Sequence, residues 1–258
     1  MWKVGLVELY VQRLGVAESV SAAVQVALKR QLRSREALVR GVLAHKELLD
    51  LDVLVFPGWT LVGDTLPSWV AQACGSRVVV IEMLHGSADA VSSKRRAYPK
   101  AGAERGSWPW STYVVEGGSV VVDGVRQIIV AANDVRDDDG ANRVDQLMRQ
   151  LQQGGPTGRR FAHSMLGECS VLVCGEVNAA LIEAGAVRVP PRFPRDLSLI
   201  VNPAHTPSSL NAMRRKREAL SAGRVLVTVA NGHSRCELEW TNEDGSVERD
   251  FRGVWFRS

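Results

Sequence analysis

Cys174 closes the short apolar run Val171-Leu172-Val173, and Gly175, Glu176 and a helix-like stretch follow it. A cysteine lifted onto a strand-to-helix turn has the chemistry of a nucleophile. The opening turn of a helix presents partial positive charge and unpaired N–H groups, which favour a thiolate. The plainer alternative is a small residue that ends a buried strand and reacts with nothing. Two other strand ends carry polar groups: Asn202-Pro203-Ala204-His205 and Asn231-Gly232-His233. In open α/β sheets that edge is where ligands bind, although Asn and its neighbours there also form turns and caps.

The elements that must position these groups alternate along the chain. The pattern predicts strands at 170–174, 197–201 and 224–230, separated by helices over 177–184 and 209–222, with Gly185 and Gly223 as helix stops. A hairpin-like unit at 236–241 and 247–251 follows. The first half gives strands at 3–10, 52–56 and 77–81, a long helical region to about Leu49, an antiparallel pair at 111–116 and 119–122, a strand at 126–131, and a helix ending near Gln153. The stretch from Gly86 to Pro109 is charged and loop-like. Strand–helix alternation of this kind is an α/β signature. No repeat or Pro/Ser-rich linker divides the chain, so a single domain over 1–258 is expected.

Composition narrows the options further. The chain has 258 residues, 45% hydrophobic and 23% charged, enough to bury a core without disulfides or metal. The longest apolar runs are of strand length, so no membrane span is expected. The N-terminus reads as a first strand, and a cytoplasmic location follows as the expectation. Cys74, Cys169, Cys174 and Cys236 form no C-x-x-C pair, so neither a metal site nor any other cofactor is expected. Cys169 and Cys174, read as one strand, would face opposite ways. A net charge of +4 raises nucleic-acid binding, but the arginines are dispersed among acids. The only basic blocks are Lys94-Arg95-Arg96 and Arg214-Arg215-Lys216-Arg217, the second of which reads as the solvated face of a helix, so nucleic acid is disfavoured as a partner.

The order of these pieces resembles the nitrilase, or carbon–nitrogen hydrolase, superfamily over nearly the whole chain. The matching segments are DVLVFP at 52–57, STYVVEGGSVV at 111–121, VRQIIV at 125–130, VLVCGEVNAALI at 171–182, IVNPAHTP at 200–207 and GRVLVTVAN at 223–231. The resemblance implies a four-layer α-β-β-α sandwich, a homodimer formed through the helical layer, and small amide, nitrile or acyl compounds as partners. It implies a Cys nucleophile, a Glu base and a Lys that steadies the oxyanion.

Cys174 stands at the nucleophile's place, and Glu176 near a residue that shapes the pocket in amidase-like members; its alternative role is to complement a helix dipole. The base does not carry over: Phe56-Pro57 is followed by Gly58, with Trp59 next, where the family has Glu. The lysine does not either. Gln127 occupies its place, and no lysine lies between Lys100 and Lys216. Gln127 could offer an oxyanion only a neutral hydrogen bond. Losing an oxyanion donor costs on the order of 100–1000-fold in rate, and losing a positioned base roughly 100–10,000-fold. Glu82, Glu8 and His85 are conceivable substitutes for the base, and the sequence prefers none. Gly58, Trp59, Gln127, Asn202 and His205 are therefore expected to line a pocket marked by Cys174, with impaired or altered catalysis. The alternatives are an inactive homologue that binds a small molecule or a protein, and a nucleic-acid-binding protein.

Overall fold

The valine-rich runs become the centres of two sheets. The computed structural model describes residues 3–6, 35–58, 60–85, 110–205, 211–230, 237–241 and 247–250. In the first sheet β1 (Val4–Leu6), β2 (Val53–Val55) and β4 (Val78–Leu84) run parallel, and β3 (Leu61–Val62) lies beside the end of β4. β5 (Trp110–Glu116) and β6 (Ser119–Val125) continue that sheet as an antiparallel pair. The second sheet has β7 (Arg160–His163), β8 (Gly167–Val171), β11 (Leu199–Ala204), β12 (Val225–Ala230), β13 (Glu237–Thr241) and β14 (Val247–Asp250). Its parallel centre is β8-β11-β12, flanked by antiparallel β7 on one side and the β13–β14 pair on the other.

The period of two along each strand separates three cores. Val53, Val55, Val78, Val80 and Val114 pack against Val171, Leu199, Val201 and Val227 between the sheets. The alternate residues Leu54, Phe56, Val79, Ile81 and Met83 face outward, against Val39 and Leu43 of α1 (35–44) and Val70 of α2 (Ser68–Ala73). On the other side Leu172, Ile200 and Leu226 meet Leu147 and Leu151 of α3 (Gly140–Gln152) and Leu220 of α4 (Asn211–Leu220). The result is the expected four-layer α-β-β-α sandwich. Burying each Val or Leu contributes about 1.5–3 kcal/mol, and this offsets the burial of polar groups at the sheet ends.

Four local expectations change. Residues 126–131 do not form a strand: β6 ends at Val125 after Gly124, whose φ is 67°. The backbone N–H groups of Ile128, Val130 and Ala131 donate to the carboxylates of Glu176 and Asp134 instead of to a neighbouring strand. Beyond Cys174 there is a six-residue 3-10 helix, Cys174–Ala179, rather than a helix to 184. β9 (Leu181–Glu183) and β10 (Ala186–Arg188) then form a hairpin, because Ala184 and Gly185 turn through φ 47° and 80°. The strand assigned to 170–174 leaves its sheet after Val171, so alternation does not reach Cys174; Cys169 and Cys174 both pack on the core between the sheets. Lastly, Lys216 and Arg217 are buried rather than solvated.

Candidate active site

The ends of β4, β8 and β11 converge, and three side chains meet there. Cys174 follows β8 by three residues and adopts φ 43°, a left-handed conformation that an L-residue holds only when its surroundings impose it. The next residue must be glycine for the turn to lie where it does: a Cβ on Gly175 would stand 2.0 Å from the Val130 carbonyl oxygen. Asn202, on β11, donates from Nδ2 to the carbonyls of Leu172 at 2.7 Å and Cys174 at 3.2 Å. Its Oδ1 accepts from the Thr228 hydroxyl at 3.4 Å. Asn178 donates to the Gly175 carbonyl and accepts from Lys216 Nζ at 2.9 Å. The turn is thus clamped by two asparagines, while the Cys174 side chain stays half-buried rather than sealed.

Glu176 belongs to the same clamp. Its carboxylate accepts from Arg159 Nη1 at 2.6 Å and Nη2 at 3.0 Å, and from the N–H groups of Val173 at 2.7 Å and Ile128 at 2.6 Å. Neither Glu176 nor Arg159 is exposed at all. Burial pushes the Glu176 carboxyl upward, against the pull of Arg159 and of the two amides. Its oxygens are engaged in holding the turn to the segment after β6. This geometry is that of a residue that positions the Cys174 turn. Arg159 carried no recognisable signal in the sequence.

His205 reaches the sulfur from the end of β11. Its backbone N–H donates to Cys174 Sγ at 3.4 Å, and its ring is hydrogen-bonded to Glu82. Nε2 lies 2.7 Å from Glu82 Oε1, so Nδ1 is the ring nitrogen turned away from that carboxylate. Glu82 faces between the sheets because it continues the inward series Val78, Val80; its Oε2 accepts from the Thr112 hydroxyl at 3.3 Å. The Trp110 ring packs edge-on against the imidazole at 4.7 Å. Burial disfavours the charged ring, but Cys174 and Glu82 outweigh it, and the His205 pKa is pushed up to about 10.

Gly58 adjoins this group, its N–H donating to the Ala204 carbonyl at 2.9 Å. A Cβ there would meet His205 Cδ2 at 2.3 Å. Gln127 is buried beside Gly175, its Nε2 donating to Ile129 O at 2.9 Å. His85, weighed as a substitute base, bonds instead to the Ser111 hydroxyl at 2.7 Å. Trp59, Glu8, Asn231, His233 and Cys236 lie outside the described residues. Among the described residues no three His, Cys, Asp or Glu side chains are disposed to hold a metal ion, and no helix is long and apolar enough to cross a membrane.

No family model matches the sequence, and no curated protein does. Solved structures do match. One is a CN-hydrolase superfamily protein from Xanthomonas campestris with an arsenic adduct in its active site, at TM-score 0.52 and 10% identity, covering 99% of this chain and 89% of that one. Another is an amidase variant from Nesterenkonia sp. AN1, showing covalent addition of the acetamide moiety of fluoroacetamide at its active-site cysteine. It gives TM-score 0.51 at 10% identity, with coverage of 99% and 88%. The same organism's NitN amidase matches at TM-score 0.50 and 10% identity, with coverage of 99% and 91%. The chain has the fold of the nitrilase superfamily.

Proposed function

We propose that this protein is a cysteine hydrolase or acyltransferase acting on small amide-like acyl compounds, with Cys174 as nucleophile. One observation carries the reading: the half-buried sulfur of Cys174 sits on a clamped, left-handed turn, where it accepts a hydrogen bond from the His205 backbone N–H. A strained backbone fixed by Asn202, Asn178 and Glu176 is a way to aim a nucleophile. The fold shared with amidases supports the choice of amide-like acyl compounds. In this reading the thiolate attacks the acyl carbon, the amine departs, and water or a second nucleophile resolves the thioester.

Gln127 favours a second reading, an inactive homologue that binds its ligand without turning it over. The side chain at the lysine's place is neutral, and its amide nitrogen is already donating to Ile129. The two readings separate when the protein is incubated with an activated small acyl ester and with a series of primary amides. Intact mass then reports acylation, and ammonia release reports hydrolysis. A transient acyl adduct on Cys174, with turnover lost in Cys174→Ala, is the expected result. Absence of both adduct and ammonia would overturn the hydrolase reading.

A further inference from the structure

We propose that His205 and Glu82 form the proton-transfer pair of this site, replacing the carboxylate missing at position 58. The proposal rests on the reading of Cys174 as a nucleophile and names the groups that serve it.

Three observations converge on it. First, connectivity: His205 donates from its backbone N–H to the Cys174 sulfur at 3.4 Å, and its Nε2 lies 2.7 Å from Glu82, which Thr112 steadies. A base held by a third group in this way is the general pattern of an activated nucleophile. Second, placement: Cys174 comes from the turn after β8, His205 from the end of β11 and Glu82 from β4 in the opposite sheet. The pair therefore spans the sandwich at the edge where the sheets open. Third, space: Gly58 leaves the volume that the ring fills, since a Cβ would stand 2.3 Å from Cδ2. Glycine at 58 and histidine at 205 are thus one joint feature. A side chain at 58 and the imidazole in its present position exclude each other.

The His205 ring begins with the proton on Nδ1, taken from Cys174, so the thiolate bonds to the acyl carbon and the carbonyl π pair moves to oxygen. On collapse the oxygen re-forms its double bond, the C–N bond breaks, and the departing amine receives the proton from Nδ1. Water then attacks the thioester and gives a proton to Nδ1; sulfur leaves as thiolate and the acid is released. Glu82 stays ionised and holds the ring through Nε2. The titratable groups facing His205 are Cys174 and Glu82. One step further away, His85 interacts with Asp64, Arg126 and Glu82. Trp110 and Gly58 add no charge.

The test separates catalysis from a structural pairing. Cys174 is alkylated with iodoacetamide across pH in the wild type, His205→Gln and Glu82→Gln, with site-specific mass readout. Imidazole 15N shifts of the wild type report the charge and tautomer of His205, and thermal melts report folding. The expected result is a fall of roughly tenfold or more in alkylation at neutral pH for His205→Gln, a smaller fall for Glu82→Gln, and a charged His205 ring at pH 7–8 in the wild type. Acylation should fall roughly 100- to 10,000-fold in His205→Gln, the usual contribution of a general base. A folded His205→Gln with an unchanged alkylation profile overturns the proposal, as does a neutral ring at pH 7. If both variants fail to fold, the 15N shifts of the unmodified protein decide alone. Alkylation needs no turnover. A charged ring without amide hydrolysis therefore counts against the hydrolase reading only, whereas hydrolysis indifferent to His205 counts against this one only.

Discussion

The imidazole of His205 occupies the space that any side chain on residue 58 would need, with only 2.3 Å between Cδ2 and a Cβ at Gly58. The backbone of Ala204 stands 3.0 Å from the same point, so the strain cannot be relieved by a small ring movement. Gly58→Ala is expected to displace the ring, slow Cys174 alkylation by about tenfold, and destabilise the fold by about 1–3 kcal/mol, as overpacking does. Gly58→Glu, which installs the family's carboxylate, is expected to lower activity further rather than raise it. Alkylation rates and urea melts of the two variants check this; a more active Gly58→Glu would contradict it.

Stability should fall as pH rises through the neutral and mildly alkaline range. His205 titrates near 6.5 in the unfolded chain, where it has no partners, and near 10 in the native state. Its contribution is therefore complete below about 6.5 and disappears progressively up to about 10, because the native state binds the extra proton. Cys169 adds the same sign higher up: burial pushes its thiol to about 12 against an ordinary value of 9.0. Denaturant melts at a series of pH values should show a decline beginning near neutrality. His205→Gln should flatten the portion below about 9, and Cys169→Ala the portion above it.

The layers, most of the strands and the position of Cys174 were legible because period-two valine runs and strand-end residues are local signals. The site's wiring was not. Glu82 was one of three candidate bases, and nothing local distinguishes a carboxylate facing His205 from one facing solvent; the choice depends on how two sheets stack. The 126–131 segment has strand composition, yet side chains take its N–H groups, Asp134 from close by and Glu176 from 48 residues along the chain, which composition does not record. The available clue was joint: a glycine where a base belongs, and a histidine at a neighbouring strand end.

The Arg159–Glu176 pair should behave as a fastener of the Cys174 turn. Removing one partner leaves the other charge buried among apolar residues, and such single removals typically cost about 3–5 kcal/mol. Arg159→Met is therefore expected to lower stability by that amount. The double variant Arg159→Met with Glu176→Gln should recover part of the loss, since no lone charge remains. Urea unfolding of the single and double variants measures the coupling. Additive losses would show that the pair does not act as a unit.

Backbone strain at Cys174 gives the last test. A φ of 43° suits glycine and penalises a residue with a Cβ. Cys174→Gly and Cys174→Ala both remove the thiol and should both abolish acylation, so their difference isolates the backbone. The glycine variant is expected to be more stable than the alanine variant by about 1 kcal/mol, although glycine elsewhere loosens the unfolded chain and usually destabilises. Equal stabilities in denaturant would mean that the turn relaxes once the sulfur leaves, so that the His205–Cys174 contact itself holds the conformation. A preference for alanine would contradict strain at this position altogether. If glycine is preferred, the protein keeps a residue that weakens its fold at the one place where a side chain must project toward His205. That pattern fits a turn retained for its chemistry rather than for packing.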